Sequence, residues 1–229
     1  MRVKIIVLAV LQIIFTVDLA FTQSYNVEFD IVLSGGRVID PETKLDGIRN
    51  VGIIQNKIAQ ISSEPLKGKQ VINVSGLVVA PGFIDLHVHG RSNKEQEYQL
   101  HDGLTTALEL EWGIENLKEW YASRRSKALI NYGASVCWPY ERFKAINTDQ
   151  ALVENLRTTS LKGEATLAGM QDGIQHTYTM DIQPGQLKAT LENIKQSLTE
   201  GGIGIGVPIG YLPRTKPEEM YECSNLLVN

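Results

Sequence analysis

The sequence predicts an α/β chain: a small β-sandwich-like module followed by the first half, about four β/α units, of a TIM-type (β/α)8 barrel. Three observations predict this. From Phe29 to Val74 the signals are short strands and turns only. After Val78 strand-like and helix-like segments alternate, the pattern of a parallel β/α architecture. Residues 79–229 are also far fewer than the roughly 250 that a closed barrel takes.

In the module, Ile31–Leu33 and Arg37–Ile39 flank Ser34-Gly35-Gly36, which reads as a hairpin turn. Val51–Ile54, Lys57–Ile61 and Gln70–Val74 continue the strand pattern, with Gln55-Asn56 as the next turn. The module is expected over 27–78. In the barrel part, 79–229, Val79–His87 is the first strand, followed by a polar stretch to Asp102. Leu104–Glu111 is the second strand, and Ile114–Lys127 a helix with Ile114, Leu117, Trp120 and Tyr121 at helical spacing. Ala128–Val136 is the third strand. Thr148–Arg157 reads as a helix capped by Thr148. Gln186–Glu200 carries the apolar stripe Leu187, Leu191, Ile194 and Leu198 and ends at Gly201-Gly202. Ile203–Val207 is the fourth strand and Pro217–Leu227 starts another helix.

Residues 1–24 stand apart. Arg2 and Lys4 precede the apolar run Ile5–Val17, and a polar exit follows: the layout of a secretory signal peptide, with an uncleaved membrane anchor as the alternative. The run is short of the about 20 apolar residues that a spanning helix needs. The chain of 229 residues has a net charge of −4, which gives no electrostatic case for nucleic acid or an anionic membrane. Two cysteines, Cys137 and Cys223, make no disulfide framework.

The chemistry concentrates in Val79–Gly90. Here a short apolar segment passes a Pro81-Gly82 break and ends in His87-Val88-His89. On a strand His87 and His89 share a face, where two imidazoles can share a divalent metal. Two ordinary half-buried histidines would leave the same bare His-x-His, but the strand before it, the Pro-Gly break and the glycine after it favour the metal. Asp85 lies on the same side, placed to support a histidine or to bond local backbone. In the next strand Ala107, Glu109 and Glu111 alternate with Leu108, Leu110 and Trp112. Two carboxylates facing a barrel interior are costly without cations or hydrogen bonds; a metal, an arginine or rim water would compensate them. His101 reads as an exposed helix-end histidine and Cys137 as a small buried thiol. His176 in a loop-like stretch, and Tyr211 and Arg214 after the fourth strand, are candidate substrate contacts; a guanidinium such as that of Arg214 matches a carboxylate. The glycines of 201–206 follow a helix and lead into a strand, the reverse of a phosphate cradle, so a nucleotide site is excluded.

Pro81–His89, Phe29–Asp40 and Val71–Val79 together resemble the amidohydrolase superfamily of metal-dependent deacylases, dihydroorotases and hydantoinases. The branch resembled is that of the N-acyl-D-amino-acid and N-acyl-D-glutamate deacylases, from about Phe29 to the end of the chain. The resemblance implies that His87 and His89 are metal ligands, with zinc as the best match and manganese, iron or nickel compatible. Related deacylases place a metal-binding cysteine at the end of the second strand. Trp112 stands opposite that position here, and Glu111 or Glu109 is the expected carboxylate substitute. The implied substrate is an N-acylated amino acid or related amide. Further histidine ligands and a general-base aspartate are expected from later barrel strands, beyond Asn229. The rival expectations are a non-catalytic half-barrel scaffold and a subunit completed by an oligomer or second chain.

Overall fold

The computed structural model describes residues 28–89, 92–161 and 178–227. The expected leader therefore lies outside the described residues, as does His176. The chain divides into two compact units that meet in sequence at Pro81 and Gly82.

The first unit is a five-stranded sheet built from β1 (Phe29–Asp40), β2 (Leu45–Ile54), β3 (Lys57–Ser62), β4 (Gly68–Asn73) and β5 (Val78–Val79), in the order β3-β2-β1-β4 with β5 also on β1. Phe29, Val32, Val38 and Val51 are its buried residues. The expected hairpin at Ser34-Gly35-Gly36 is corrected. β1 runs straight through it, and the glycines form a bulge where the register against β2 shifts between Leu33 and Gly36. Gly35 takes a φ of 78°, and its N–H and the Ser34 hydroxyl both donate to Asn50 Oδ1 at 3.1 Å, which holds the bulge in place. The reversal comes instead after Asp40, whose carboxylate accepts from Glu42 N and Thr43 Oγ1. The Gln55-Asn56 turn is found as expected, between β2 and β3.

The second unit is a four-stranded parallel sheet in sequential order: β6 (Phe83–Asp85), β7 (Leu104–Ile114), β8 (Asn131–Cys137) and β9 (Ile205–Gly206). Between and after them lie α1 (Asn93–His101), α2 (Leu117–Arg124), α3 (Trp138–Ile146), α4 (Gln150–Leu161), α5 (Pro184–Thr199), a 3-10 turn (Ile209–Tyr211) and α6 (Pro217–Asn225). Four parallel strands in sequence order with intervening helices are the first half of a (β/α)8 barrel, as the sequence predicts.

Local differences have local causes. The expected strand Val79–His87 is split, because Val78 and Val79 pair with Arg37 and Val38 in the first sheet. The strand expected at Ala128–Val136 starts later, at Asn131, after a left-handed turn at Ser126. The helix expected from Ile114 starts at Leu117, because Asn116 caps it by accepting the Glu119 N–H. Asp149, and not Thr148, caps α4: its Oδ1 accepts the N–H groups of Ala151 and Leu152. The helix α3 has no counterpart among the expected elements; Pro139 lies in its first turn, where the φ of proline suits the start of a helix.

A hydrophobic core of Ile114, Leu117, Trp120, Val136, Trp138, Ile194, Leu212 and Cys223 joins the sheet to the helices. Cys137 and Cys223 are both buried free thiols, and burial pushes the Cys223 thiol up to about 12. One buried charge pair ties α3 to α6. Arg142 Nε donates to Glu219 Oε1 at 3.0 Å, and the Trp138 indole N–H donates to the same oxygen at 3.1 Å. Arg142 also donates to the Met180 carbonyl at 2.6 Å. Removing one partner strands a buried charge, so Glu219→Ala should cost about 3–5 kcal/mol of stability in a urea melt. A loss below about 1 kcal/mol would show that the pair does not hold α6 to the core.

Candidate metal centre

The site lies where β6 gives way to irregular chain at its C-terminal end, the end of a parallel strand where barrel enzymes place their chemistry. Asp85 turns its carboxylate to local backbone and accepts the His87 N–H at 2.9 Å, the second of the two roles open to it from the sequence. Val88 N donates to Leu108 O at 3.3 Å, and the Val88 side chain is buried against Ala107 and Ile130. Because Val88 points into the sheet, its neighbours His87 and His89 both point away from it. Their rings meet edge to face, with centroids 5.2 Å apart.

The carboxylates come from β7, through a break in its pairing. Glu109 is opposite Ala134, but the next paired residues are Ile114 and Val136, so β7 carries extra residues between these points. Gly113 makes this bulge with a φ of 83°, and a side chain there would come within 2.7 Å of the β8 backbone at Ser135 and Cys137. From the other strand the Ser135 hydroxyl donates to the carbonyls of Glu109 and Leu110, at 3.3 and 2.9 Å.

The result is a compact group. Glu111 Oε2 lies 3.0 Å from His87 Nε2 and 3.3 Å from His89 Nε2. Glu109 Oε2 lies 3.0 Å from the other ring nitrogen, His89 Nδ1, while Glu109 Oε1 accepts the Trp112 N–H at 3.3 Å. The Glu109 side chain is 4% exposed and that of Glu111 34% exposed, so one is structural in its surroundings and the other open to a ligand. One donor atom from each of His87, His89 and Glu111 lies within 4.8 Å of the others. A tetrahedral ion with bonds of about 2.0–2.2 Å needs ligand atoms roughly 3.3–3.6 Å apart, so small side-chain movements would turn this trio into three ligands of a divalent metal. Two imidazoles and a carboxylate suit zinc, iron, manganese or nickel by donor type.

The other candidates fall at different places. Tyr211 packs its ring edge-on against Trp112 at 5.6 Å, and Tyr178 packs on the same indole at 6.3 Å, so the bulge connects Tyr211 to the carboxylate strand. Arg214 Nε donates to Asp181 at 2.9 Å, an ion pair within the chain. His101 is the exposed last residue of α1, and Cys137 is buried with Trp112, Tyr140 and Phe143. Sequence reasoning missed the bulge and the aromatic trio; the Trp112-Gly113 pair inside an otherwise regular strand was the available signal.

No protein-family model matches the chain. The chain is similar to D-aminoacylase of Alcaligenes xylosoxydans xylosoxydans, with 27% identity over 211 residues, covering 88% of this chain and 42% of that protein. It is also similar to dihydroorotase of Streptococcus pneumoniae, with 39% identity over 82 residues, covering 34% of this chain and 19% of that protein. Among solved structures, D-aminoacylase, described as defining a novel subset of amidohydrolases, superposes with a TM-score of 0.60 at 21% identity over 87% of this chain and 43% of that one. N-acyl-D-glutamate deacylase of Bordetella bronchiseptica, solved with zinc and a phosphonate inhibitor, superposes with a TM-score of 0.61 at 18% identity over 88% and 43%. The half barrel thus has the fold of part of the D-aminoacylase and N-acyl-D-glutamate deacylase structures. The chain spans about 42% of the length of the D-aminoacylase it matches.

Gly113 is the position on which this geometry turns. Gly113→Ala should lower stability by about 1–3 kcal/mol from backbone strain, with the collision against β8 adding to it. An alanine variant with an unchanged urea midpoint would show that the bulge can be remade without the glycine.

Proposed function

We propose that this chain is the metal-holding N-terminal part of a metal-dependent amidohydrolase that cleaves the amide of N-acylated amino acids. The observation that carries the proposal is the convergence of His87, His89 and Glu111 at the C-terminal end of parallel barrel strands. The similarity to D-aminoacylase over 88% of the chain supports the substrate class. Zinc is the proposed metal, in keeping with the donor set and with the zinc bound by the similar N-acyl-D-glutamate deacylase.

A divalent metal in such a site supplies Lewis-acid polarisation of a carbonyl and lowers the pKa of water. The chain's own part is positional. His87, His89 and Glu111 would hold the ion, and the buried Val88 sets the direction of both histidines. Trp112, Tyr178 and Tyr211 form an aromatic wall next to Glu111, apolar surface suited to an acyl group. Arg214 is proposed to meet the substrate carboxylate, which requires it to exchange Asp181 for the substrate. The general base is assigned to further barrel strands, supplied by the same polypeptide or a second chain. Phe83 and Ile84 on the edge strand β6 are 68% and 64% exposed, the surface such strands would cover. A secretory destination is part of the same proposal, supported by the leader-like pattern of residues 1–24, with a membrane anchor as the alternative.

The test is metal uptake and amide hydrolysis together. Zinc should bind the chain, and His87→Ala should weaken it by more than about 100-fold, the upper end of the loss for an outer partner alone. The barrel-complete protein should release free amino acid from N-acetyl-D-amino acids, and a chelator should abolish this. Undiminished zinc affinity in His87→Ala would sink the metal reading. Hydrolysis that survives chelation would sink the mechanism.

A further inference from the structure

The two carboxylates of the cluster differ in what they touch, and this separates their roles. Glu111 reaches the Nε2 atoms of both histidines with a single oxygen, at 3.0 and 3.3 Å. Glu109 instead meets His89 at Nδ1, at 3.0 Å. The two nitrogens of an imidazole direct their lone pairs or hydrogens away from each other, so an ion held by Nε2 lies on the far side of the ring from Glu109. Glu109 is also fixed at its other oxygen by the Trp112 N–H, and it is buried where Glu111 is partly open.

We infer that Glu109 is a positioning residue: it accepts a hydrogen bond from His89 Nδ1–H, and so leaves Nε2 unprotonated and aimed at the metal beside Glu111. This rests on the metal reading above. A metal-bound histidine commonly donates its second ring N–H to a carboxylate, which fixes the tautomer and strengthens the ligand. The bulge explains why one strand can furnish both kinds of carboxylate. Glu109 sits at the last regular pair with Ala134, where the backbone is held on both sides, and Glu111 sits in the extra segment before Ile114. The aligned spacing of two glutamates on one strand face would by itself make them equivalent; the hydrogen bonds make them different.

The experiment uses the full chain labelled with ¹⁵N-histidine, and cobalt(II) ion as the probe. In the metal-free wild type, at a pH above the histidine range, ring ¹⁵N shifts should show His89 as the Nδ1–H tautomer, because the buried Glu109 at 3.0 Å from Nδ1 outcompetes the more exposed Glu111 at 3.3 Å from Nε2. Glu109→Leu should shift His89 toward the Nε2–H form that free imidazole side chains prefer. Glu109→Gln keeps an acceptor but no charge. It should weaken cobalt(II) binding by about 10–100-fold with the visible absorption envelope unchanged. Glu111→Gln should change the envelope itself, since a ligand is altered.

If Glu109→Gln binds cobalt(II) as the wild type does and Glu109→Leu leaves the tautomer in place, the inference is overturned. It is overturned equally if Glu109→Gln changes the envelope and Glu111→Gln does not, for then Glu109 is the ligand. A wild type that takes up no cobalt(II) overturns the metal reading instead, and the ¹⁵N shifts tell the two failures apart. Because the tautomer is read on the metal-free folded chain, a variant that binds poorly through misfolding is recognised by its loss of dispersed shifts.

Discussion

The break in pairing between β7 and β8 is the constraint on which the rest of the second unit depends. Up to Glu109 the two strands run in step, and from Ile114 they run in step again, but β7 has more residues to place between these points than β8. The excess cannot lie flat in the sheet, so it is turned outward at the strands' C-terminal end. Gly113 permits the turn and Ser135 fixes its start. Three consequences follow from one irregularity. Glu109 and Glu111 approach the histidines from different sides, Trp112 is delivered into the cluster with Tyr140 and Phe143, and Ile114 returns to the main core just ahead of the Asn116 cap. Bulges that re-aim side chains beside functional sites are a known use of this device.

The electrostatics of the cluster follow from how burial is distributed within it. A buried carboxylate is tolerated when its oxygens are hydrogen-bonded, and Glu109 has a ring nitrogen on one oxygen and a backbone N–H on the other. Glu111 lies farther out and can exchange its two imidazole contacts for a cation without uncovering a buried charge. The division of labour is therefore built into depth: the deeper group is held by the fold, and the shallower one can respond to a ligand. Arg142 and Glu219 show the other solution to the same problem, two fully buried charges that answer each other across α3 and α6 and have no opening to solvent.

The fold was legible where periodicity was undisturbed. The α5 stripe of Leu187, Leu191, Ile194 and Leu198, and the alternation through Ala107 and Glu109, report faithfully on the elements they form. Legibility failed where a residue type has two meanings. Gly35-Gly36 permits a hairpin or a bulge, and only the pairing of β1 with β2, β4 and β5 decides for the bulge. Pro139 can stop a helix or start one. The shared facing of His87 and His89 was readable because strand alternation puts both on the side opposite the buried Val88. The difference between Glu109 and Glu111 was not readable, since strict alternation makes them equivalent, and the residue that breaks the alternation is the glycine beyond them.

The histidines follow a short edge strand. Strand β6 comprises Phe83–Asp85 and is paired to β7 alone among the described strands, so His87 and His89 are held mainly by the bridge between His87 and Glu109 and by the Val88 N–H on Leu108 O. An ion shared by His87 and His89 from the β6 side and Glu111 from β7 would cross-link the two strands at their loosest point. Whatever binds the native arrangement stabilises it by mass action. Pairing a further strand with β6, beside the exposed Phe83 and Ile84, would hold the same edge, since an edge strand leaves a row of backbone N–H and C=O groups unpaired. Barrel completion and metal binding would thus act on one element, and under the proposed function each should favour the other by stabilising the same native arrangement of β6.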